Sequence, residues 1–264
     1  MDELEVHGLR IAYEQTGAGP PLVLLHGFVG DSREWRQQLE GLSDAFTVVA
    51  WDAPGSGRSS DPPSSFRMPE YADCLVGFMN ALGLGSPHVV GLSFGGALAL
   101  ELFRRHPAVP RTLVLAGAYA GWAGSLPPDV VEERLRLSLR SADLPPEAFA
   151  GTLIASMFSV AAPPEILDGF AAIMSEFHPT GFRSMVRSLA EADLRDVLPR
   201  VDVPTLLLSG DEDARAPLSV AEALHTAIST SRLVVMPGVG HMSSVEAGER
   251  FNAEVRMFLR SVGA

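Results

Sequence analysis

Short apolar runs alternate with longer amphipathic segments along most of the 264-residue chain. Six of these runs are rich in Val and Leu, which is typical of strands buried on both faces of a parallel sheet. The segments between them carry apolar positions at helical spacing. This alternation predicts crossover units and an α/β fold. We predict strands at 21–25, 47–51, 88–91, 112–116, 205–209 and 232–236, and helices at 35–42, 69–82, 94–106, 218–228 and 247–259.

Two further runs, 4–7 and 10–15, precede these strands and are separated by a turn at Gly8. Two short strands joined by a glycine turn are typical of an antiparallel hairpin. With the hairpin included, the sequence predicts an eight-stranded, mostly parallel sheet flanked by helices.

The segment 119–198 interrupts the alternation, because no strand pattern occurs in it. Proline pairs at 127/128, 145/146 and 163/164 separate several amphipathic stretches. Proline is tolerated in the first turn of a helix, so each pair is expected to open one. We predict a cap of four short helices at 119–198, inserted between the sixth and seventh strands, and a core formed by 1–118 and 199–264.

Composition narrows the classes of function. Hydrophobic residues make up 47% of the chain and charged residues 20%, which is ordinary globular usage. The formal net charge of −12 repels a phosphate backbone, so we expect no nucleic-acid partner. All 20 basic residues are arginine. Without lysine, the chain cannot use a Schiff-base, pyridoxal-phosphate or P-loop mechanism.

The single cysteine, Cys74, cannot form an internal disulfide and lies outside any metal-ligand spacing, so we interpret it as a buried apolar residue. The chain begins with acidic residues, whereas a signal peptide begins basic and continues apolar. No run approaches the roughly 18 apolar residues of a spanning helix. We therefore expect a cytoplasmic protein without membrane contact, and leave homo-oligomer formation open.

The first candidate for chemistry is Ser93, in the sequence Gly-Leu-Ser-Phe-Gly at 91–95. The pentapeptide alone is weak evidence, but here it follows an apolar strand and precedes a helical pattern. Glycines two positions before and after the serine allow a sharp strand-to-helix turn that exposes the hydroxyl. This context predicts a nucleophile.

A second candidate site lies at His26, Gly27 and Phe28, immediately after another apolar strand. Acyl transfer requires two preorganised N–H groups about 3 Å from the developing oxyanion. The amides of Phe28 and Phe94 are predicted to supply them. We interpret His26 as a hydrogen-bonding brace of this loop rather than a base, and retain it as a substrate-binding candidate.

Candidates for an acid and a base follow the last two strands. Three acidic residues at 211–213 lie at the carboxyl end of one strand, where the active sites of open α/β sheets lie. His241, between glycine-rich turns and the last helix, follows the other. Serine, then acid, then histidine, each beyond its own strand, is the chain order of a Ser-acid-His triad in such a sheet.

These motifs together resemble the α/β-hydrolase fold superfamily over essentially the whole chain. The segment Trp-Asp-Ala-Pro-Gly-Ser-Gly-Arg-Ser at 51–59 is similar to its Asp-x-x-Gly-x-Gly-x-Ser loop. The resemblance maps the triad acid onto Asp213, at a typical distance in sequence from His241, and leaves Asp211 as the alternative. Ala116 and its neighbours offer no carboxylate at the other position that relatives use.

Departures from individual families narrow the implied activity. Ser93 argues against haloalkane dehalogenases and epoxide hydrolases, which use aspartate there, and hydroxynitrile lyases use a lysine that this chain lacks. Met242 replaces the Trp that usually follows the histidine in C–C hydrolases. The remaining resemblance is to carboxylesterases, 3-oxoadipate enol-lactonases and cofactor-free perhydrolases. A C–C hydrolase, a lyase or cyclase, or a ligand receptor of this fold stays an alternative.

The resemblance therefore implies a serine hydrolase acting on a small ester or lactone, with Ser93, Asp213 and His241 as the triad. Neither a cofactor nor a metal is expected. Aromatic and methionine side chains of the cap are expected to line an apolar substrate pocket. The main candidates are Trp122, Met157 and Phe158, followed by Phe149, Met174 and Phe177.

Overall fold

The computed structural model describes residues 2–263, which contain an eight-stranded sheet flanked by helices. Its spatial order is β1-β2-β4-β3-β5-β6-β7-β8. Pairing is antiparallel between β1 and β2 and between β2 and β4, and parallel elsewhere. The predicted fold class is confirmed. The strands are β1 (Asp2–Val6), β2 (Leu9–Thr16), β3 (Pro21–Leu25), β4 (Thr47–Trp51), β5 (His88–Leu92), β6 (Thr112–Ala116), β7 (Thr205–Gly210) and β8 (Ser231–Met236).

Ten α-helices lie in the described part of the chain. They are α1 (Arg36–Leu42), α2 (Met68–Ala81), α3 (Phe94–Arg105), α4 (Pro128–Ser141), α5 (Ala150–Ala155), α6 (Pro164–Met174), α7 (Pro179–Glu191), α8 (Leu218–Ala227), α9 (Ser243–Glu246) and α10 (Gly248–Ser261). No helix among residues 2–263 has the length and apolarity needed to cross a membrane.

Most predicted elements agree with the structure to within a few residues, and the differences have local causes. His7, predicted in the first strand, instead forms the hairpin turn with Gly8, and both have positive φ, +50° and +80°. The helix predicted from 35 begins at Arg36 because a 3₁₀ turn, Ser32–Trp35, precedes it. Asp31 caps that turn by accepting a hydrogen bond from the Arg33 amide.

Four α-helices, α4 to α7, separate β6 from β7, as expected of the insertion. The proline pairs at 127/128 and 163/164 open α4 and α6. The pair at 145/146 opens only a 3₁₀ turn, Pro146–Ala148, and α7 begins at a single proline, Pro179. The division into core and cap at 119 and 198 stays a prediction.

The buried centre of the sheet positions the site. Strand β5 is buried over its whole length, and α3 is buried from Phe94 to Phe103. Residue Leu92 of β5 pairs with Ala116 of β6, so the two strands end level with each other. Since β7 and β8 run parallel to them, the residues that follow all four strands lie at one edge of the sheet.

Candidate active site

Ser93 forms a strained turn between β5 and α3. Its backbone has φ +53° and ψ −109°, a conformation that side-chain-bearing residues rarely adopt. The turn leaves no space for side chains at the flanking glycines, because a Cβ on Gly91 would lie 2.2 Å from the Gly95 oxygen, and one on Gly95 would lie 2.1 Å from the Leu25 oxygen. The sharp turn expected from the Gly-x-Ser-x-Gly pattern is therefore present.

Hydrogen bonds fix Ser93 on both sides. Its N–H donates to the Ala116 carbonyl at the end of β6, over 2.9 Å. Its own carbonyl accepts from the amides of Gly96 and Ala97, which belong to the first turn of α3. The serine is thus held by the sheet and by the start of the helix.

Asp213 and His241 form a buried hydrogen-bonded pair. The Nδ1 atom of His241 lies 2.8 Å from Oδ2 of Asp213, and since a carboxylate only accepts, Nδ1 carries the proton. This tautomer leaves Nε2 as an acceptor. Nε2 is buried and has no hydrogen-bond partner among residues 2–263.

The second oxygen of Asp213 is also occupied. Oδ1 accepts from the amides of Arg215 and Ala216, each over 2.8 Å. Burial alone would raise the pKa of Asp213, but His241 and these two N–H groups outweigh it and keep the pKa below its usual value. Asp213 is therefore held as a carboxylate facing the imidazole.

The structure brings Asp213, and not the alternative Asp211, to the histidine. Asp211 is exposed, and its Oδ1 accepts from the Gly238 amide over 2.7 Å. It therefore links the loop that follows β7 to the loop that follows β8. Glu212 is exposed as well.

Ser93 and His241 lie on either side of the Ala116–Gly117 corner. The serine amide is bonded to Ala116, and a Cβ on Gly117 would lie 2.9 Å from Nδ1 of His241. Gly117 has φ +49°. No hydrogen bond joins the serine hydroxyl to Nε2 in the described residues.

The loop that carries Phe28 lies against Ser93, since a Cβ on Gly27 would lie 3.9 Å from the serine Cβ. Phe28 and Phe94 are both buried. Neither backbone N–H has an acceptor among the described residues. Buried N–H groups without a partner are rare in native proteins. These two amides can therefore bind an oxygen atom that the chain itself does not supply.

His26 does not fit the expectation of substrate binding, because both of its ring nitrogens are engaged by the backbone. Nε2 accepts from the Ala53 amide over 2.9 Å, so Nδ1 carries the proton and donates to the Gly27 carbonyl over 2.6 Å. Burial lowers the pKa of His26. The ring is a neutral brace of the loop, and no polar atom is left for a substrate.

Glu34 supports the same loop, a role that no sequence motif indicated. It is buried, and Oε1 accepts from the Gly27 amide over 3.2 Å, while Oε2 has no partner in the described residues. Burial raises the pKa of Glu34 well above its usual value.

We expect Glu34→Gln to flatten the decline of thermal stability as pH rises above the ordinary pKa of a glutamate. Because the folded-state pKa of Glu34 lies above the unfolded one, its contribution to stability is complete below the unfolded pKa and is lost as pH rises through the folded pKa. Glutamine keeps an oxygen for the Gly27 amide. The measurement is Tm from pH 4 to 9, with the exposed Glu5→Gln as control. A Tm difference from wild type that does not vary with pH would contradict this account.

Backbone contacts from the insertion hold the histidine loop. The Met157 carbonyl accepts from the amides of His241 and Met242, over 2.7 and 3.1 Å. Glu246 accepts from the amides of Gly240 and Ser159, each over 3.1 Å, and from the Ser159 hydroxyl. Glu246 is a second supporting carboxylate that sequence reasoning missed.

A cavity of ≈480 Å³ lies beside this site. It is lined by Phe28, Phe182, Arg215 and eleven residues between 134 and 156, which come from α4, α5 and the adjoining segments. Phe149 is among them, as expected. Phe28 and Arg215 connect the cavity to the site, because one carries an unpaired amide and the other donates to Asp213.

The side chains of Trp122, Met157 and Phe158 were expected to line the pocket, and they do not line this cavity. Trp122 is fully buried and packs edge-on against Phe28, with ring centroids 6.4 Å apart. Phe158 packs against Phe170, and Met157 is buried. These three side chains are buried by packing against other parts of the chain, so they lie behind the residues that line the cavity.

Among residues 2–263, no group of three or more His, Cys, Asp or Glu side chains could hold a metal ion. Cys74 is buried, and burial raises the pKa of its thiol to about 12.

Comparisons with known proteins agree with this architecture. A family described as alpha/beta hydrolase fold matches residues 20–247. A protein from Caulobacter sp. (strain K31) named "Putative carbamate hydrolase RutD" is 30% identical, covering 98% of this chain and 96% of its own. A thermophilic esterase from Thermogutta terrifontis, solved with malate bound, superposes with a TM-score of 0.93 at 31% identity, with both chains fully covered. An enol-lactonase from Burkholderia xenovorans LB400 gives a TM-score of 0.89 at 25% identity, covering 98% of this chain and 100% of that one.

Proposed function

The chain belongs to the alpha/beta hydrolase fold family, and from that premise we propose that it is a serine hydrolase of small carboxylic esters or lactones. One observation carries the proposal. The buried Asp213–His241 pair leaves an unpartnered acceptor, Nε2, at the corner that also holds the strained Ser93. A nucleophile, a base and an orienting acid are thus available at one edge of the sheet.

The proposed acylation starts from the neutral imidazole. Ser93 attacks the substrate carbonyl while Nε2 of His241 takes the hydroxyl proton, which requires the serine oxygen to come within about 3 Å of Nε2. Asp213 holds the reactive tautomer and stabilises the imidazolium that forms. His241 then gives the proton to the departing alcohol oxygen, and the acyl group stays on Ser93.

The amides of Phe28 and Phe94 are proposed to bind the oxyanion of the tetrahedral intermediate. Both are buried and lack partners, so they need no rearrangement of existing hydrogen bonds to do so. Phe94 opens α3, and the helix dipole adds positive potential at its amide. Removing one such donor typically costs about 10² to 10³ in kcat.

Deacylation repeats the same steps with water. His241 deprotonates a water molecule that attacks the acyl carbonyl, and then returns the proton to Ser93 as the acid product leaves. The whole cycle uses side chains, backbone amides and water, so we propose that it needs neither a cofactor nor a metal.

Similarity to an esterase and an enol-lactonase supports an ester or lactone as substrate. A carbamate is the second candidate, since a relative carries a carbamate hydrolase name. A carbamate presents the same kind of carbonyl to the serine, so the mechanism is unchanged and only the leaving group and acyl group differ.

The proposed substrate class is tested by hydrolysis of a panel of matched compounds. We expect p-nitrophenyl acetate and butyrate, and a lactone such as dihydrocoumarin, to be cleaved, with a burst of p-nitrophenol approaching one per chain where deacylation is slow. p-Nitrophenyl methylcarbamate tests the second candidate. A folded protein that cleaves none of the esters or the lactone would contradict the proposal.

A further inference from the structure

The cavity beside Phe28 has an unusual distribution of charge. Three of its lining residues are arginines, Arg134, Arg140 and Arg215, and none of the lining residues is Asp or Glu. The chain as a whole carries a net charge of −12. A locally positive cavity in an acidic protein is suited to an anion, because the field inside a cleft is set by the charges that line it.

Two of these arginines lack a carboxylate partner although they are half-buried. Neither Arg134 nor Arg215 forms an ion pair with any carboxylate in the described part of the chain. The other arginines of residues 2–263 that lack an ion pair are all exposed. Partial burial of an unpaired charge is unfavourable. Contact with water alone therefore does not explain why these two arginines are half-buried.

Neighbouring groups hold both guanidinium groups in place. Arg134 donates to the Tyr119 hydroxyl over 3.2 Å and lies over the Trp122 ring at 5.9 Å. Arg215 donates to the Ser156 hydroxyl over 3.2 Å and lies over the Phe28 ring at 5.6 Å. Stacking on an aromatic face orients a guanidinium without neutralising it.

Most of the donor capacity of the two groups is unused. A guanidinium has five N–H donors, and each of these two makes a single hydrogen bond within the described residues. Tyr119 connects them, because its hydroxyl accepts from Arg134 and donates to the Arg215 carbonyl. The arrangement is preorganised for an acceptor with two oxygens.

We propose that Arg134 and Arg215 form a carboxylate-binding subsite, so that the substrate is an ester or lactone that also carries a carboxylate. This inference rests on the proposed function, since it identifies the substrate class of the same site. The apolar walls, which include Leu137, Leu144, Phe149 and Leu153, would contact the carbon chain between the carboxylate and the scissile carbonyl.

The location of the subsite supports its link to the reaction. Phe28 lies under the Arg215 guanidinium, and its amide is one of the two proposed oxyanion donors. The Arg215 amide donates to Asp213. Binding of the substrate's carboxylate to these arginines would therefore hold its scissile carbonyl in position near Ser93.

The test is equilibrium binding to Ser93→Ala, which separates binding from turnover. The probes are the monomethyl esters of succinate, adipate and suberate, each compared by calorimetry with its uncharged dimethyl ester. We expect at least one monoester to bind about tenfold more tightly than its diester, as charge-assisted bidentate hydrogen bonds to arginine provide. Adding Arg134→Gln should remove that preference.

Arg136→Gln is the matched control. Arg136 lies on the same helix, α4, but pairs with Glu133 over 2.7 Å and does not line the cavity. The preference should persist in this variant. Arg215→Gln should remove the preference as Arg134→Gln does, and serves if Arg134→Gln does not fold. Equal affinities for monoester and diester at all three lengths, or equal losses in Arg134→Gln and Arg136→Gln, would overturn the subsite.

Hydrolysis by the wild type separates this inference from the proposed function. If the monoester is preferred in binding but the wild type cleaves neither esters nor lactones, the subsite stands and the proposed function fails. If the wild type cleaves neutral esters but binding shows no preference, the function stands and the subsite fails.

Discussion

Ser93→Ala is expected to lower kcat for ester hydrolysis by about 10⁴ to 10⁶-fold, because the members of a catalytic triad act as a unit. Alanine removes only the hydroxyl oxygen. The turn itself is held by the Ser93 backbone and by Gly91 and Gly95, so the variant should keep the wild-type circular dichroism spectrum and Tm. Turnover is measured with p-nitrophenyl butyrate.

Ser188→Ala controls for the loss of a buried serine hydroxyl. Ser188 is buried in α7, and within residues 2–263 its hydroxyl bonds only to the Ser184 carbonyl of the same helix. We expect kcat close to wild type in this control. Turnover in Ser93→Ala within tenfold of wild type would rule out the covalent mechanism.

Asp213→Asn is expected to lower kcat by about 10⁴-fold, with a much smaller effect on KM. The asparagine oxygen can still accept from the Arg215 and Ala216 amides, so the loop should keep its shape. Its NH₂ group would then face Nδ1 of His241 and donate to it. The proton of the imidazole would move to Nε2, where the acceptor for the Ser93 proton has to be.

Asp211→Asn is the matched control, because Asp211 lies two positions away in the same loop. Asparagine there keeps an oxygen for the Gly238 amide, so kcat should change by less than about tenfold, as expected for a group that does not contact the imidazole. A larger loss in Asp211→Asn than in Asp213→Asn would mean that the acid is wrongly assigned.

The sheet could be predicted from the sequence because its central strands are buried on both faces and therefore consist of nearly uninterrupted apolar residues. Strands β3, β4 and β6 begin and end where the pattern places them. The nucleophilic serine could also be predicted, because its local structure restricts the residue types beside it. The tight turn has no room for a Cβ atom at positions 91 and 95, so both positions require glycine. These two glycines can be recognised directly in the sequence.

The acid was harder to identify, because Asp211 and Asp213 lie in one short loop and differ only in which way the loop turns them. Asp211 bonds to Gly238, and Asp213 reaches His241. Sequence spacing contains no information on that direction. Only similarity to relatives favoured Asp213 before the structure did.

The pocket was the part hardest to predict, because the sequence of the insertion does not show which of its side chains face the cavity and which are packed away from it. Trp122 was expected in the lining because of its type, but its contacts with Phe28 and the Leu189 carbonyl bury it. Arg134 was not among the residues predicted from the sequence to line the pocket. One signal was present, because positions three and four away from it on α4 hold no carboxylate, whereas Arg136 has Glu133 at that spacing.

The most direct test of the central claim, that Ser93 is an activated nucleophile, is the site of covalent labelling by diisopropyl fluorophosphate. We predict one adduct per chain on the peptide that contains Ser93, no adduct in Ser93→Ala, and slower labelling in Asp213→Asn than in Asp211→Asn. A wild-type protein that hydrolyses esters while Ser93 stays unmodified, or that carries the adduct on another residue, would contradict the account.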